Sequence, residues 1–417
     1  MVGPSDNLES IEDFDAVIIG GGPGGATTAM LLARAGWSVA VIERQKFPRR
    51  KVCGEYLSGA NWPLLEELGI AQEFDQHSGP EVRRVGLLAG PSFIEAELPL
   101  PGSTRPGGWG RALSREKLDT LLLARAAACG AEALQPWRAV ELQPCGERFA
   151  CRAISQQDDR SKELRAPIVI AAHGSWTPGK LPTERPRIPK RPGDLLGFKA
   201  SFLGAPLEED LMPLLTFTDG YGGLVNCDDG RTSLSCCIRR DRLEGLSRET
   251  NESAGEAVLG YLLEECPALR SAIGDAVCEA PWLSAGPIRP GIRSAYRGGV
   301  FLLGNAAGEA HPVVAEGISM AMQAGWLLAE RLIEADLARH SSAARNRVGC
   351  GYARAWRRAF APRIRAAASI AHWAMRPAAV RASLPVIRNF PRLLTWGALC
   401  SGKTSSPWRR TLVAEQR

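Results

Sequence analysis

The residues whose types and spacing could do chemistry lie in two widely separated, glycine-rich segments, GGGPGG at 20–25 and GNAAGEAHPVVAEGI at 304–318. In the first, Gly20, Gly22 and Gly25 have the GxGxxG spacing, with Gly24 between them. Gly20 permits a tight turn, Gly22 lets the backbone approach a pyrophosphate, and Gly25 allows close helix packing. An anion held there meets a helix N-terminus, whose free N–H groups and positive dipole end favour negative charge. Glu43 closes the next apolar run, where a carboxylate can accept hydrogen bonds from an adenosine ribose and disfavours a 2′-phosphate. No Ser-His-Asp or paired-carboxylate arrangement accompanies these residues. The five histidines have no metal-ligand spacing and the 11 cysteines no CxxC pair, which argues against a metal site and for reduced thiols.

Such residues need a strand–turn–helix to hold them, and the flanking sequence supplies one. FDAVII (14–19) is a short β-branched run that reads as a buried parallel strand. ATTAMLLARAG has helical apolar spacing and ends at Gly36, and WSVAVIE is a second strand ending at Glu43, completing a βαβ unit. A helix is expected from Arg115 to Cys129, a strand in 166–174, and a proline-rich linker over 176–193 that includes Trp176. Residues 194–290 read as mostly β with one helix near 252–264, and 298–335 returns to strand, loop and helix. In that last stretch Gly304 and Asn305 end a strand, so Asn305 can bind a ribityl hydroxyl. The N–H groups at Gly317 and Ile318 can face the electron-rich edge of a reduced flavin. A nicotinamide-only enzyme needs no second site of this kind, so the pair of segments points to FAD.

The two segments together resemble the geranylgeranyl reductase branch of flavoproteins with the p-hydroxybenzoate hydroxylase fold. The matching pieces are GGGPGG…VIER (20–44), KVCGEYL (51–57), ALSREKLDTLLLARAAACGA (112–131) and GNAAGEAHPVVAEGISMAMQAG (304–325). The resemblance implies that Gly24, Glu43, Arg44, Cys53, Gly54, Arg115, Ala139, Asn305, Gly317 and Ile318 contact FAD. It also implies an α/β architecture: a Rossmann-like FAD-binding domain in two parts (14–178 and 296–335), a β-rich substrate domain (190–292) and a helical tail (339–417). Three positions depart from the family. Asn305 replaces its usual Asp, His173 in AAHGSW replaces the Asp of a GADG-like motif, and DGYGGLVNCDDG keeps only Tyr221 of a Tyr-x-Trp-x-Phe-Pro element that lines the lipid cavity of prenyl reductases.

The leading expectation is an FAD-dependent monooxygenase acting on an aromatic or lipophilic small molecule, with NAD(P)H or a separate reductase as electron donor. Its rivals are a reductase of prenyl or lipid double bonds and a non-catalytic flavin-binding protein at a membrane surface. Halogenation is disfavoured because GxWxWxIP is absent. The catalytic group is open, with Cys53 and His311 as candidates; the bland alternatives are a buried structural thiol and a histidine capping a carbonyl. Arg115 could instead pair with Glu116 or Asp119 on the surface, and Lys199 reads either as a substrate-facing charge or as a solvated strand residue. The net charge of +6 is unevenly placed: 339–417 carries 16 basic residues and one acid, leaving 35 basic and 44 acidic before it, a net of −9. The basic tail suits either an anionic lipid surface or docking on the acidic body, and no recognised fold links it to nucleic acid. The polar, acidic start lacks a secretory pattern and no run of apolar residues is long enough to span a bilayer, so a cytoplasmic protein with peripheral membrane contact is expected.

Overall fold

The computed structural model describes residues 8–99, 108–158, 160–174, 179, 181–184, 188–249 and 252–402. Much of the expected linker and the last part of the tail, Trp176 and Trp408 included, therefore lies outside the described residues.

Ala16–Ile19, Val39–Ile42 and Ile168–Ala171 are each buried at every position, which is what four-residue apolar strands covered on both faces require. They form the middle of a six-stranded sheet in the order Tyr296–Arg297, Val300–Leu302, Ile168–Ala171, Ala16–Ile19, Val39–Ile42, Glu132–Leu134. All pairs are parallel except the outermost, Tyr296–Arg297 with Val300–Leu302. The Val300–Leu302 strand thus returns late chain to the early sheet, as the split FAD domain requires. The Pro23–Arg34 and Gly317–Glu334 helices pack side by side against it. A separate four-stranded sheet, Leu8–Asp13, Ser161–Ala166, Arg148–Ser155 and Trp137–Cys145, flanks this core and draws in the chain ahead of residue 14.

The larger sheet departs from the expected domain limits. Arg84–Ala89 and Ser92–Glu97 belong to it, not to the FAD-binding sheet. Arg84–Ala89 pairs in parallel with Leu211–Phe217, followed by Gly220–Asn226, Arg231–Arg239 and Leu195–Leu203. Arg84 donates to Asp210 across this join, a long-range pairing that no local pattern encodes. Three helices, Arg240–Glu249, Ala254–Glu265 and Leu269–Ile273, replace the single one expected near 252–264. Ser253 and Glu256 form a capping box at the middle one.

The basic tail is part of the fold. Ser342–Ala374 runs across the body, burying Tyr352, Trp356 and Phe360 in the main core. The Tyr352 hydroxyl donates to the Leu302 carbonyl at 3.1 Å. Arg363 donates to Gln323 Oε1 at 2.8 Å, Gln323 donates to Asn61 Oδ1 at 3.0 Å, and Asn61 donates to Ser319 Oγ at 2.9 Å. This buried chain of bonds ties the tail to the Gly317–Glu334 helix, and each link satisfies a group that burial would otherwise penalise. Pro377–Asn389 and Arg392–Cys400 then lie on the edge of the larger sheet, where Thr395 donates to the Glu97 carbonyl at 2.7 Å. No helix among the described residues is long and apolar enough to cross a membrane.

Phe360 is fully buried at the junction of tail and body. Phe360→Ala should lower the stability of the whole protein by about 3–5 kcal/mol, as core aromatic deletions do. Urea unfolding followed by far-UV circular dichroism should show a single transition at a lower midpoint. An unchanged midpoint would mean that the tail is peripheral.

Candidate functional site

The helix Pro23–Arg34 starts after Gly22 with no side-chain cap and no acid in its first turn, so its N-terminal N–H groups are left for a ligand. Gly20 sits at φ +111°, and a Cβ there would lie 2.6 Å from the Ala172 carbonyl oxygen. A Cβ on Gly25 would be 2.0 Å from the Gly20 oxygen, whereas one on Gly22 would meet only Arg115 at 3.9 Å. Two of the fingerprint glycines are therefore required by the protein itself. The third leaves space that a diphosphate would fill.

That space opens into a cavity of about 990 Å³, at the upper end of ligand-site sizes. Of the expected FAD contacts, Gly20, Gly22, Gly24, Glu43, Arg44, Cys53, Gly54, Arg115, Ala139, Gly304, Asn305, Gly317 and Ile318 line it, as does His311. Gly25 does not; it holds the helix against the turn. Glu43 is buried, with Oε2 accepting from the Gly21 N–H and Oε1 from the Gln45 N–H, both at 2.9 Å. The carboxylate is thus fixed by backbone, with lone pairs remaining for ribose hydroxyls.

Arg115 combines both readings given to it. It makes a bidentate pair with Asp119 at 2.7 Å, but the pair is buried and faces the cavity. Burial pulls this guanidinium down, while Asp119 and a hydrogen bond to Cys53 outweigh it, so its charge is secured. Sequence reasoning missed two neighbours: Arg49, 3.2 Å from the same Asp119, and Lys51, pulled down to about 8 by burial and by Arg115 and Arg49. Their signal was the RRK run at 49–51, which leads into KVCGEYL and shares Lys51 with it. Cations crowded to the point of depressing one another fit an anionic group such as a diphosphate.

Asn305 donates its side-chain amide to Glu309 Oε1 at 3.0 Å, and Arg293 donates to Glu309 Oε2 at 3.2 Å, so the amide is oriented from behind. Lys199 is neither substrate-facing nor solvated. It is buried and ion-paired with Glu55, whose Oε1 also accepts from the Arg115 N–H at 3.1 Å. The alternation of a strand cannot reveal this, because Glu55 comes from a distant loop in the left-handed region, φ 58°. His311 does not cap a carbonyl; its Nδ1 lies 3.2 Å from the Tyr221 hydroxyl. Burial and the neighbouring His372 bring His311 down to about 4, so it is neutral at pH 7. His173 sits between the Gly174 carbonyl and Thr183 Oγ1, and burial lowers it too. No cluster among the described residues could hold a metal ion.

Residues 13–188 match a family model described as FAD binding domain. The digeranylgeranylglycerophospholipid reductase 2 of Methanopyrus kandleri is 27% identical over 339 residues, 78% of each chain. These likenesses make the chain an FAD-dependent oxidoreductase. The menaquinone reductase of Mycobacterium tuberculosis is 32% identical over 170 residues, 40% of each chain. Among solved structures, the myxobacterial chondrochloren halogenase CndH superposes with a TM-score of 0.74 at 21% identity, covering 93% of this chain and 91% of that one, a likeness of fold. The uncapped helix start, the cation cluster and the anchored Glu43 fit FAD.

Two variants probe this flavoprotein. Gly22→Val should fold, since its Cβ meets little, yet purify without yellow flavin absorbance; retained stoichiometric FAD would sink the phosphate-loop assignment. The second concerns pH. An unfolded His titrates near ~6.5, whereas folded His311 does so at about 4. Between these values the unfolded chain takes up a proton that the fold refuses. Stability is therefore fully present above pH ~6.5 and falls as pH drops, by roughly 3 kcal/mol below pH 4. His311→Gln should flatten this slope relative to the parent in urea midpoints taken from pH 7.5 to pH 4.5. Parallel slopes would show that His311 is protonated in the fold.

Proposed function

We propose that this flavoprotein reduces carbon–carbon double bonds in a long, uncharged lipophilic molecule. The observation that carries this is the wall of the cavity beyond the flavin segments. It is lined from the larger sheet by residues such as Met212, Leu214, Leu224 and Ile288, and from the tail helices by residues such as Trp356, Ile370, Trp373, Ile387 and Leu394. No charged side chain lies on this wall among the described residues, although six arginines and lysines crowd the cofactor end. Burying an unpaired charge is prohibitive, so such a wall admits neutral substrates and excludes anionic ones.

The wall also reverses the order of the expectations. Hydroxylation of an aromatic ring needs an electron-rich phenolate and hence a base against the ring, and an apolar tunnel supplies little of this. The chemistry that FAD would supply when held there and reduced is hydride donation to one carbon of a double bond. The other carbon needs a proton, and the pairing of the two saturates the bond with no oxygen consumed. Cys53 is our candidate donor. It lines the cavity, half-buried, its Sγ accepting from the Glu55 N–H at 3.4 Å while Arg115 bonds it from the side. The identity to a lipid reductase over most of both chains supports the same reading. One observation favours oxygenation: the His311–Tyr221 pair sets hydrogen-bonding groups on the cavity wall that could orient a phenolic hydroxyl. The electron donor is taken to be NAD(P)H or a separate reductase.

Dithionite-reduced protein should be mixed anaerobically with a geranylgeranylated glycerolipid. Return of oxidised flavin absorbance, with a product heavier by two hydrogens, is the expected result, and Cys53→Ser should slow it about tenfold while keeping its flavin. Reoxidation that requires O₂ and a product that gains an oxygen atom would establish the oxygenase instead. No turnover with either would leave a flavin-binding protein.

A further inference from the structure

The two helices that close the lipophilic end of the cavity have a second face. Val386, Phe390, Leu393 and Trp396 recur at three- and four-residue intervals along Pro377–Asn389 and Arg392–Cys400 and are 52%, 65%, 44% and 67% exposed. Val386 lies on the first helix and Leu393 and Trp396 on the second, with Phe390 at the break between them, so together they make an exposed apolar patch across both. The opposite side, Val380, Ile387 and Ala398, is buried, the first two against Leu87, Ala89 and Ile94. Four arginines, Arg376, Arg381, Arg388 and Arg392, are exposed on the same segment, and residues 376–402 contain no carboxylate. An exposed stripe of Trp, Phe and Leu between arginines costs the fold solubility without adding to its core, and such stripes mark interaction surfaces. Its composition is that of helices lying in the headgroup region of anionic bilayers. A protein partner would meet it with carboxylates around an apolar patch. The position of the cavity decides between the two.

Leu393 is at once exposed and part of the cavity wall, next to Leu394 and Gly397. The cavity wall and the exposed apolar stripe therefore meet at Leu393. We infer that the outer face of these two helices docks on an anionic lipid surface, and that the substrate passes from the bilayer into the cavity beside Leu393. The route from bilayer to flavin rests on the lipophilic substrate proposed above; the docking does not. A long apolar molecule entering there never crosses water, so the desolvated tunnel is filled without exposing the substrate. With no membrane-spanning helix among the described residues, the contact is peripheral and reversible.

The test uses the full-length, FAD-loaded protein and no substrate. Co-sedimentation is measured with phosphatidylcholine vesicles and with vesicles containing about a quarter phosphatidylglycerol. The parent should bind the anionic vesicles, more weakly in high salt. The Val386→Ser, Phe390→Ser, Trp396→Ser triple variant should keep its flavin absorbance and unfolding midpoint but lose binding about tenfold. Arg381→Gln, Arg388→Gln, Arg392→Gln should abolish the preference for anionic vesicles while retaining some binding. Absence of parent binding, or equal binding by the serine variant, would overturn the proposal. A concentration-dependent dimer that the serine variant disperses, without vesicle binding, would assign the stripe to a second copy of the chain instead. Because no turnover is read, failure of the reductase reading leaves these outcomes unaffected.

Discussion

The close approach of two bare stretches of helix is the constraint on which the site depends. Pro23–Arg34 and Gly317–Glu334 come from opposite ends of the catalytic body and touch through backbone. A Cβ on Gly24 would stand 2.9 Å from the Ala321 carbonyl oxygen, and one on Gly325 2.6 Å from that of Gly24. Only small residues allow this separation, and it sets two uncapped helix N-termini side by side at the same cavity. Their dipoles then act together on whatever anionic or electron-rich group lies between them. The buried Arg363–Gln323–Asn61–Ser319 bonds hold one of the pair from the far side, so the tail indirectly fixes the geometry of the cofactor site.

The cofactor half was legible from sequence because its requirements are local. A turn that must be glycine, a helix that must start without a cap and an acid at a strand end all leave marks within a few residues of one another. The substrate half was not, because its walls are assembled from elements that meet only in three dimensions. Arg84–Ala89 falls inside the expected bounds of the first domain, and only its parallel partner, Leu211–Phe217, puts it in the larger sheet. Lys199 reads as a strand residue with a charge to dispose of; its partner Glu55 lies far away in sequence, on a loop whose φ of 58° no propensity would propose. The tail is the clearest case. Its charge was plain, yet its aromatic positions at 352, 356 and 360 belong to the main core, and composition alone does not order a helix against the body.

The cavity is built from two unlike environments, and their difference has a physical consequence. At one end Arg49, Lys51 and Arg115 are held close enough for burial and mutual repulsion to drag Lys51 down. These groups are costly together until an anion joins them, so the site is paid for by binding its cofactor. At the other end no described residue is charged, and an apolar ligand gains by leaving water, roughly 25 cal/mol for each Å² buried. A long apolar molecule that must reach this end from solvent would first expose its whole surface to water.

Access past Leu393 removes that conflict, because the exposed apolar stripe and the apolar wall are two faces of the same short helices. A single pair of elements then serves three ends: it buries Val380 and Ile387 against the larger sheet, walls the cavity with Ile387 and Leu394, and offers Phe390 and Trp396 outward. Selection on any one of these constrains the others. Replacing Phe390 with a polar residue costs the fold little, since its side chain is mostly exposed, whereas replacing Ile387 disturbs both core and cavity. Large apolar residues at exposed positions where the fold does not need them are the physical argument that the outer face has a task of its own.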